Sequence, residues 1–224
     1  QFECDRQLAE AARAAERGVA LGVLGAVGVV RRGEAGRPFD FFRERISFPV
    51  RDLKGRTVGF GARRLSDGDA RAPKYVNTQV TELFHKGHLI YGLDRALEPA
   101  RRSGRLILVE GYTDVMAAHQ VGLNTVVAVL GTSTTDEHAA LVRRAGARRV
   151  DLVFDGDEAG RRATLRALAG LLALDVELRI VRLAGDADPC DFLVQNGAAP
   201  FQAELERATA WFDFLVAELA RVAP

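Results

Sequence analysis

From Arg105 onward the chain alternates short apolar runs with amphipathic stretches, and no other feature restricts its fold so strongly. The runs are "RLILVE", "TVVAVL", "RVDLVFD" and "VELRIVRL". Between them lie "TDVMAAHQVG", "TTDEHAALVRRAG" and "EAGRRATLRALAGLLAL", each with helical periodicity. The first helix is expected to be capped by Thr113 or Asp114, and the second has a polar start and a glycine stop. Strands alternating with helices at this spacing make βαβ units, so an α/β fold with a mainly parallel sheet flanked by helices follows.

In such sheets ligands sit outside the carboxyl ends of the strands, and acidic residues fall there. Glu110 ends the first run, Asp155 and Asp157 follow the third, and Asp186, Asp188 and Asp191 follow the fourth. An isolated D-x-D reads as a turn. With acids at two neighbouring strand ends it reads better as a metal site. If the backbone stays extended through Gly156, Asp155 and Asp157 point to one side. Two carboxylates about 4 Å apart repel by about 4 kcal/mol near a protein surface, unless one is protonated or a cation sits between them. The donors are oxygens, apart from Cys190, which favours Mg²⁺ or Mn²⁺ over zinc and points to phosphoryl or nucleotidyl transfer.

The chain before this region has a different character. Between Arg31 and Arg105 there are 17 Lys and Arg against 9 Asp and Glu, whereas from Leu106 onward there are 11 against 17. All three lysines, Lys54, Lys74 and Lys86, lie in the basic part. A basic region beside an acidic one suits a protein that holds a polyanion and also binds cations. Residues 5–17 look helical and 19–33 are ambiguous. Two strands flank a turn at Lys54-Gly55, with Pro49 marking an edge strand. Residues 66–92 read as loop-rich, 101–104 as a linker, and 200–222 as a helix with Trp211, Phe212, Leu215 and Leu219 on its apolar face. Tyr75, Phe84 and Tyr91 interleave with the cations and read better as core than as base-stacking platforms. Gly131 to Thr134 reads equally as a plain helix cap and as part of a nucleotide site.

The glycine-broken run from Val19 to Val30 is too short to span a bilayer. Cys4 and Cys190 form neither a zinc pattern nor a disulfide framework, so a reducing cytoplasm is the expected compartment. His85, His88, His119 and His138 have no metal-ligand spacing.

Taken together, "VEGYTDV", "VLGTSTT", "VFDGDEAGRRA" and "DPCDFL" resemble the Toprim domain of bacterial replicative primases of the DnaG type. The stretches "FRERISFPVRDLKGRTVGFGARR" and "PKYVN…ELFHKGHLIYGL" resemble the basic subdomain of the same catalytic core. The resemblance runs over about residues 30–220. It implies a basic α+β N-terminal subdomain at 1–104, shortened relative to the family, a Toprim domain at 105–197, and the start of a C-terminal helical subdomain at 198–224.

By resemblance, Glu110 is the catalytic glutamate, acting on the 3′-hydroxyl proton or through a metal. Asp155 and Asp157 are the principal metal ligands and share the catalytic role, and Asp188 is the first acid of a D-P-D element. Cys190 stands where the second aspartate of that element is usual. Asp191, one residue later and pointing in another direction, is the alternative ligand. Arg63, Lys74 and Lys86 match positions that hold the template strand or incoming nucleotide. The implied activity is template-directed synthesis of short RNA primers on single-stranded DNA during replication. The implied cofactor is Mg²⁺ or Mn²⁺, with no zinc in this chain. The implied partners are single-stranded DNA, ribonucleoside triphosphates, the RNA primer and, through domains absent here, the replicative helicase; no membrane is involved. A Toprim nuclease and a non-catalytic single-stranded-DNA-binding fragment are the alternatives.

Overall fold

The computed structural model describes residues 9–33, 36–66, 73–131 and 134–222. Residues 5–8 of the expected first helix, Cys4, Thr132 and Ser133 lie outside them. The chain divides into two compact units, Gln1–Asp52 with Arg56–His85, and Leu53–Gly55 with Lys86–Pro224. This division comes earlier in the chain than the boundary expected at residue 104.

The first unit opens with helices α1 (Ala9–Glu16) and α2 (Leu21–Ala26), the latter followed by strand β1 (Val30–Arg32), which resolves the ambiguous 19–33 stretch. β1 pairs antiparallel with β2 (Pro38–Asp40). Strands β3 (Arg45–Arg51), β4 (Thr57–Arg64) and β5 (Tyr75–Asn77) form an antiparallel sheet in that order. Pro49 therefore sits on an edge strand, where its missing N–H costs no ladder bond. The carboxylate of Asp52 accepts from the Arg56 backbone N–H at 3.0 Å and from its Nε at 2.8 Å, closing the connection between β3 and β4. Phe84 is fully buried. Its ring lies against Gly59, where any side chain would overlap it, so this aromatic is core, as expected.

The second unit is built on a six-stranded sheet. In chain order it comprises β6 (Ile90–Tyr91), α3 (Leu93–Ser103), β7 (Arg105–Val109), α4 (Tyr112–Gln120), β8 (Val126–Val129) and α5 (Asp136–Arg144). There follow β9 (Arg149–Val153), α6 (Glu158–Leu171), β10 (Glu177–Val181), α7 (Pro189–Asn196), α8 (Ala198–Glu206), β11 (Thr209–Ala210) and α9 (Trp211–Val222). The strand order is β11-β10-β9-β7-β8-β6. The four central strands run parallel and the two edges antiparallel, so the expected mainly parallel sheet is present.

Alternation along the strands builds a core on each face. Leu106, Leu108, Val127, Val129, Val150 and Leu152 share one cluster with Ala96, Val142, Leu168 and Phe214 from helices. Ile107, Val109, Val126, Ala128 and Val153 share the other with Val115, Phe192 and Phe201. Full burial of each such Leu or Val stabilises the fold by about 1.5–3 kcal/mol before entropy is counted, which is why continuous apolar runs mark these strands.

Three local expectations are corrected. Residues 101–103 are the last turn of α3 rather than a linker, and Gly104 caps it at φ +71° with its N–H to the Ala100 carbonyl. The polar Arg101-Arg102-Ser103 belongs to the solvent side of a helix whose other side buries Leu93, Ala96 and Ala100. The N-cap of α4 is Gly111, neither Thr113 nor Asp114. In α9 the buried aromatic is Phe214, while Phe212 and Leu219 are exposed. That helix turns Glu218 inward instead, where Arg161, Arg182 and Arg221 neutralise it.

Candidate active site

At the carboxyl ends of the central strands the chain leaves the sheet through carboxylates. Glu110 follows β7 and is half-buried. Asp155 lies two residues beyond β9, and its N–H donates to Glu110 Oε1 at 3.3 Å. Asp157 is the N-cap of α6, its Oδ1 accepting the Gly160 N–H at 2.8 Å. Two glycines allow this path. A side chain at Gly160 would overlap the Asp155 carbonyl, and one at Gly156 would overlap Asp186. Helix start, strand end and neighbouring loop therefore approach backbone to backbone.

Asp188 caps α7 with Oδ1 accepting the Asp191 N–H at 3.0 Å, and Pro189 at the first helical position is preorganised for that start. Asp191 itself is exposed in the first turn of α7. Asp114, in sequence only a candidate helix cap, has a larger part here. Three residues into α4, its carboxylate reaches back to the Gly111 N–H at 2.9 Å and is 3% exposed. One ligand atom each from Asp114, Asp188 and Cys190 lie within 4.8 Å of one another, the metal-ligand grouping found among the described residues.

Electrostatics tie the two sets of acids together. Glu110 is raised from the ordinary carboxylate range by burial and then by the charges of Asp155 and Asp157, against the Asp155 N–H bond and Arg166. Asp114 is pushed up to about 7, first by burial and then by Asp188, with Asp155 and Glu110 adding to the effect. Carboxylates that raise one another in this way form a site that a cation relieves.

The donors divide by chemistry. Glu110, Asp155, Asp157, Asp114 and Asp188 offer only oxygens and fit a hard divalent cation. The Cys190 thiol does not share that preference.

The basic residues lie on both units. Arg63 pairs with Tyr75 across β4 and β5, its guanidinium 5.7 Å from the ring centroid, and Lys74 is exposed beside them. Tyr91 meets Tyr112 edge to face at 4.7 Å. Lys86 begins a 3₁₀ turn, Lys86–His88. Thr135 is the N-cap of α5, so the cap lies just beyond the Gly131 to Thr134 stretch. No helix among the described residues is long and apolar enough to cross a membrane.

Residues 4–97 match the family of the DNA primase catalytic core, N-terminal domain, and residues 107–193 match the Toprim-like family. Toprim domains bind metal, and Asp114, Asp188 and Cys190 give this chain a group able to do so. The DNA primase of Escherichia coli strain K12 is 42% identical over 191 residues, which are 84% of this chain and 32% of that protein. The chain thus spans about a third of the length of such curated relatives. The RNA polymerase domain of Mycobacterium tuberculosis primase DnaG superposes with a TM-score of 0.81 at 38% identity, covering 93% of this chain and 69% of that one. A DnaG primase catalytic domain bound to single-stranded DNA gives 0.83 at 38% identity, covering 94% and 67%. With both halves matched in order by the two family models and by relatives at this identity, the chain belongs to the DnaG-type bacterial DNA primases, as part of their catalytic core.

Proposed function

We propose that this chain joins ribonucleotides on a single-stranded DNA template, making short RNA primers with release of pyrophosphate during DNA replication. The observation that carries the reading is the convergence of Glu110, Asp155 and Asp157 beyond adjacent parallel strands, in a chain of the primase family. Glu110, Asp155, Asp157 and Asp188 would hold Mg²⁺ or Mn²⁺, with Asp191 at the margin. When bound, the ion supplies charge neutralisation at the phosphates and lowers the pKa of the attacking hydroxyl. Glu110, already raised by burial, is suited to take a proton at its carboxylate. Arg63, Lys74 and Lys86 offer cations to phosphates without reading sequence, as a template-copying enzyme requires. The replicative helicase is a partner of the whole protein, and the compartment is the cytoplasm.

A second reading has one observation in its favour. Cys190 stands among Asp114 and Asp188, where a thiol weakens a hard-cation site, and this suits a module that binds single strands without polymerising.

Extension of labelled ribonucleotides on single-stranded DNA with Mg²⁺ and with Mn²⁺, parent against Asp155→Ala, tests both. Short RNA from the parent alone is the expected result. Retained DNA binding without products from the parent supports the second reading.

A further inference from the structure

One buried side chain has no part in the site described above. His138, in the first turn of α5, is 1% exposed. Its Nδ1 accepts the Thr135 backbone N–H at 3.1 Å, which leaves the ring proton on Nε2. That nitrogen faces the carbonyl oxygens of Lys86 and Leu89, each at 3.1 Å. Beside it, Thr135 Oγ1 donates to the Gly87 carbonyl at 2.6 Å and accepts the His138 N–H at 3.2 Å. Three carbonyls of the segment 86–89 are therefore taken by the N-terminal end of α5. A three-residue 3₁₀ turn has little stability of its own. This one is tied to a helix whose Ala139 and Val142 are buried in the core.

The segment leading into that helix borders the acids. Gly131, two residues beyond β8, and Thr134, just before the N-cap of α5, line a small cavity with Glu110 and Arg166. Thr135 and His138 thus join the Lys86 turn to the chain segment that adjoins Glu110. A lysine that meets a phosphate gains from a backbone already held in place, because less freedom is lost on binding. A neutral imidazole suits the task, since it presents one acceptor and one donor in fixed directions.

We propose that His138 is a positioning residue: with Thr135 it latches the Lys86 turn to α5, fixing the origin from which Lys86 reaches the phosphates of an incoming nucleotide. This rests on the reading that Lys86 contacts nucleotide. The latch acts through Lys86 alone, so its loss weakens nucleotide binding and leaves the acids untouched.

The test uses the full chain with single-stranded DNA and a fluorescent ribonucleoside triphosphate, in Lys86→Ala, His138→Ala, His138→Gln and the double Lys86→Ala/His138→Ala variants. Lys86→Ala is expected to weaken nucleotide binding about tenfold, the scale of one charge-assisted hydrogen bond. His138→Ala is expected to weaken it roughly threefold or more, and the double variant to match Lys86→Ala alone. His138→Gln, which can still donate to the carbonyls, should recover most of the loss. In extension assays the effect should appear in KM and not in kcat. If Lys86→Ala leaves affinity unchanged, the reading of Lys86 fails and the latch with it. If Lys86→Ala weakens binding but the two losses multiply, or His138→Ala lowers only kcat, the latch alone is overturned.

Discussion

The backbone amide of Asp155 donates to the carboxylate of Glu110 across the ends of two adjacent parallel strands, at 3.3 Å. This bond makes the position of Glu110 depend on the turn after β9, not only on β7. Glu110→Gln keeps an acceptor for that amide and removes the charge. Extension is expected to fall by about a hundredfold or more, the scale of a lost acid–base or metal contact, with an unchanged melting temperature. Wild-type rates in this variant would remove Glu110 from the chemistry.

Gly160 has no room for a methyl group, because the Asp155 carbonyl occupies that space. Gly160→Ala should therefore destabilise the protein by about 1–3 kcal/mol through overpacking, and should also displace Asp155. Urea unfolding measures the first effect. Loss of cation binding in the folded fraction reports the second.

Asp151 is fully buried between β7 and β10, where Arg105 and Arg149 both reach it. Asp151→Asn leaves two guanidinium groups without their shared charge, and breaking a buried pair of this kind costs about 3–5 kcal/mol. The variant should unfold at lower denaturant concentration, while cation binding in the folded fraction is kept, because this cluster lies toward the starts of β7 and β9, away from the acids at their carboxyl ends.

Asp114 is held near pH 7, well above its ordinary value of 3.8. The folded state then binds more protons than the unfolded chain between about pH 4 and pH 7. Stability from this group is full below that window and is lost as the pH rises through it, by up to about 4 kcal/mol. Melting curves without divalent cation should fall with pH more steeply for the parent than for Asp114→Asn. Adding Mg²⁺ above pH 7 should raise the parent's melting temperature more than the variant's.

Cys190 places a soft donor among hard ones. Replacing it with aspartate should tighten Mg²⁺ binding by about tenfold, since a carboxylate suits that ion and a thiol does not. Calorimetric titration of both proteins measures this. Equal affinities would mean that position 190 does not touch the ion.

Much of this protein is written in its sequence. Apolar runs such as Leu106–Val109 are buried on both faces, and their alternation with amphipathic helices specifies a helix-covered parallel sheet. Their ends then define a rim, which makes Glu110, Asp155 and Asp188 conspicuous in the sequence itself. Local pattern fails where neighbouring signals compete. Arg101 to Ser103 look like a linker because the solvent face of a helix is as polar as a loop. In α9 the periodicity alone favours Leu219, but the arginines that take up Glu218 rotate the helix the other way.

The remaining relationships depend on packing between distant elements. Asp114 meets Asp188 and Cys190 because α4 and α7 pack together, and nothing in the spacing of these residues specifies that contact. His138 reaches a carbonyl 52 residues earlier in the chain. Hydrophobic periodicity determines which face of an element is buried, and so the sequence by itself determined the sheet and its acidic rim. Which polar groups meet is decided when those buried faces lock together, and so the thiol among the carboxylates and the imidazole behind Lys86 were decided only by the tertiary structure.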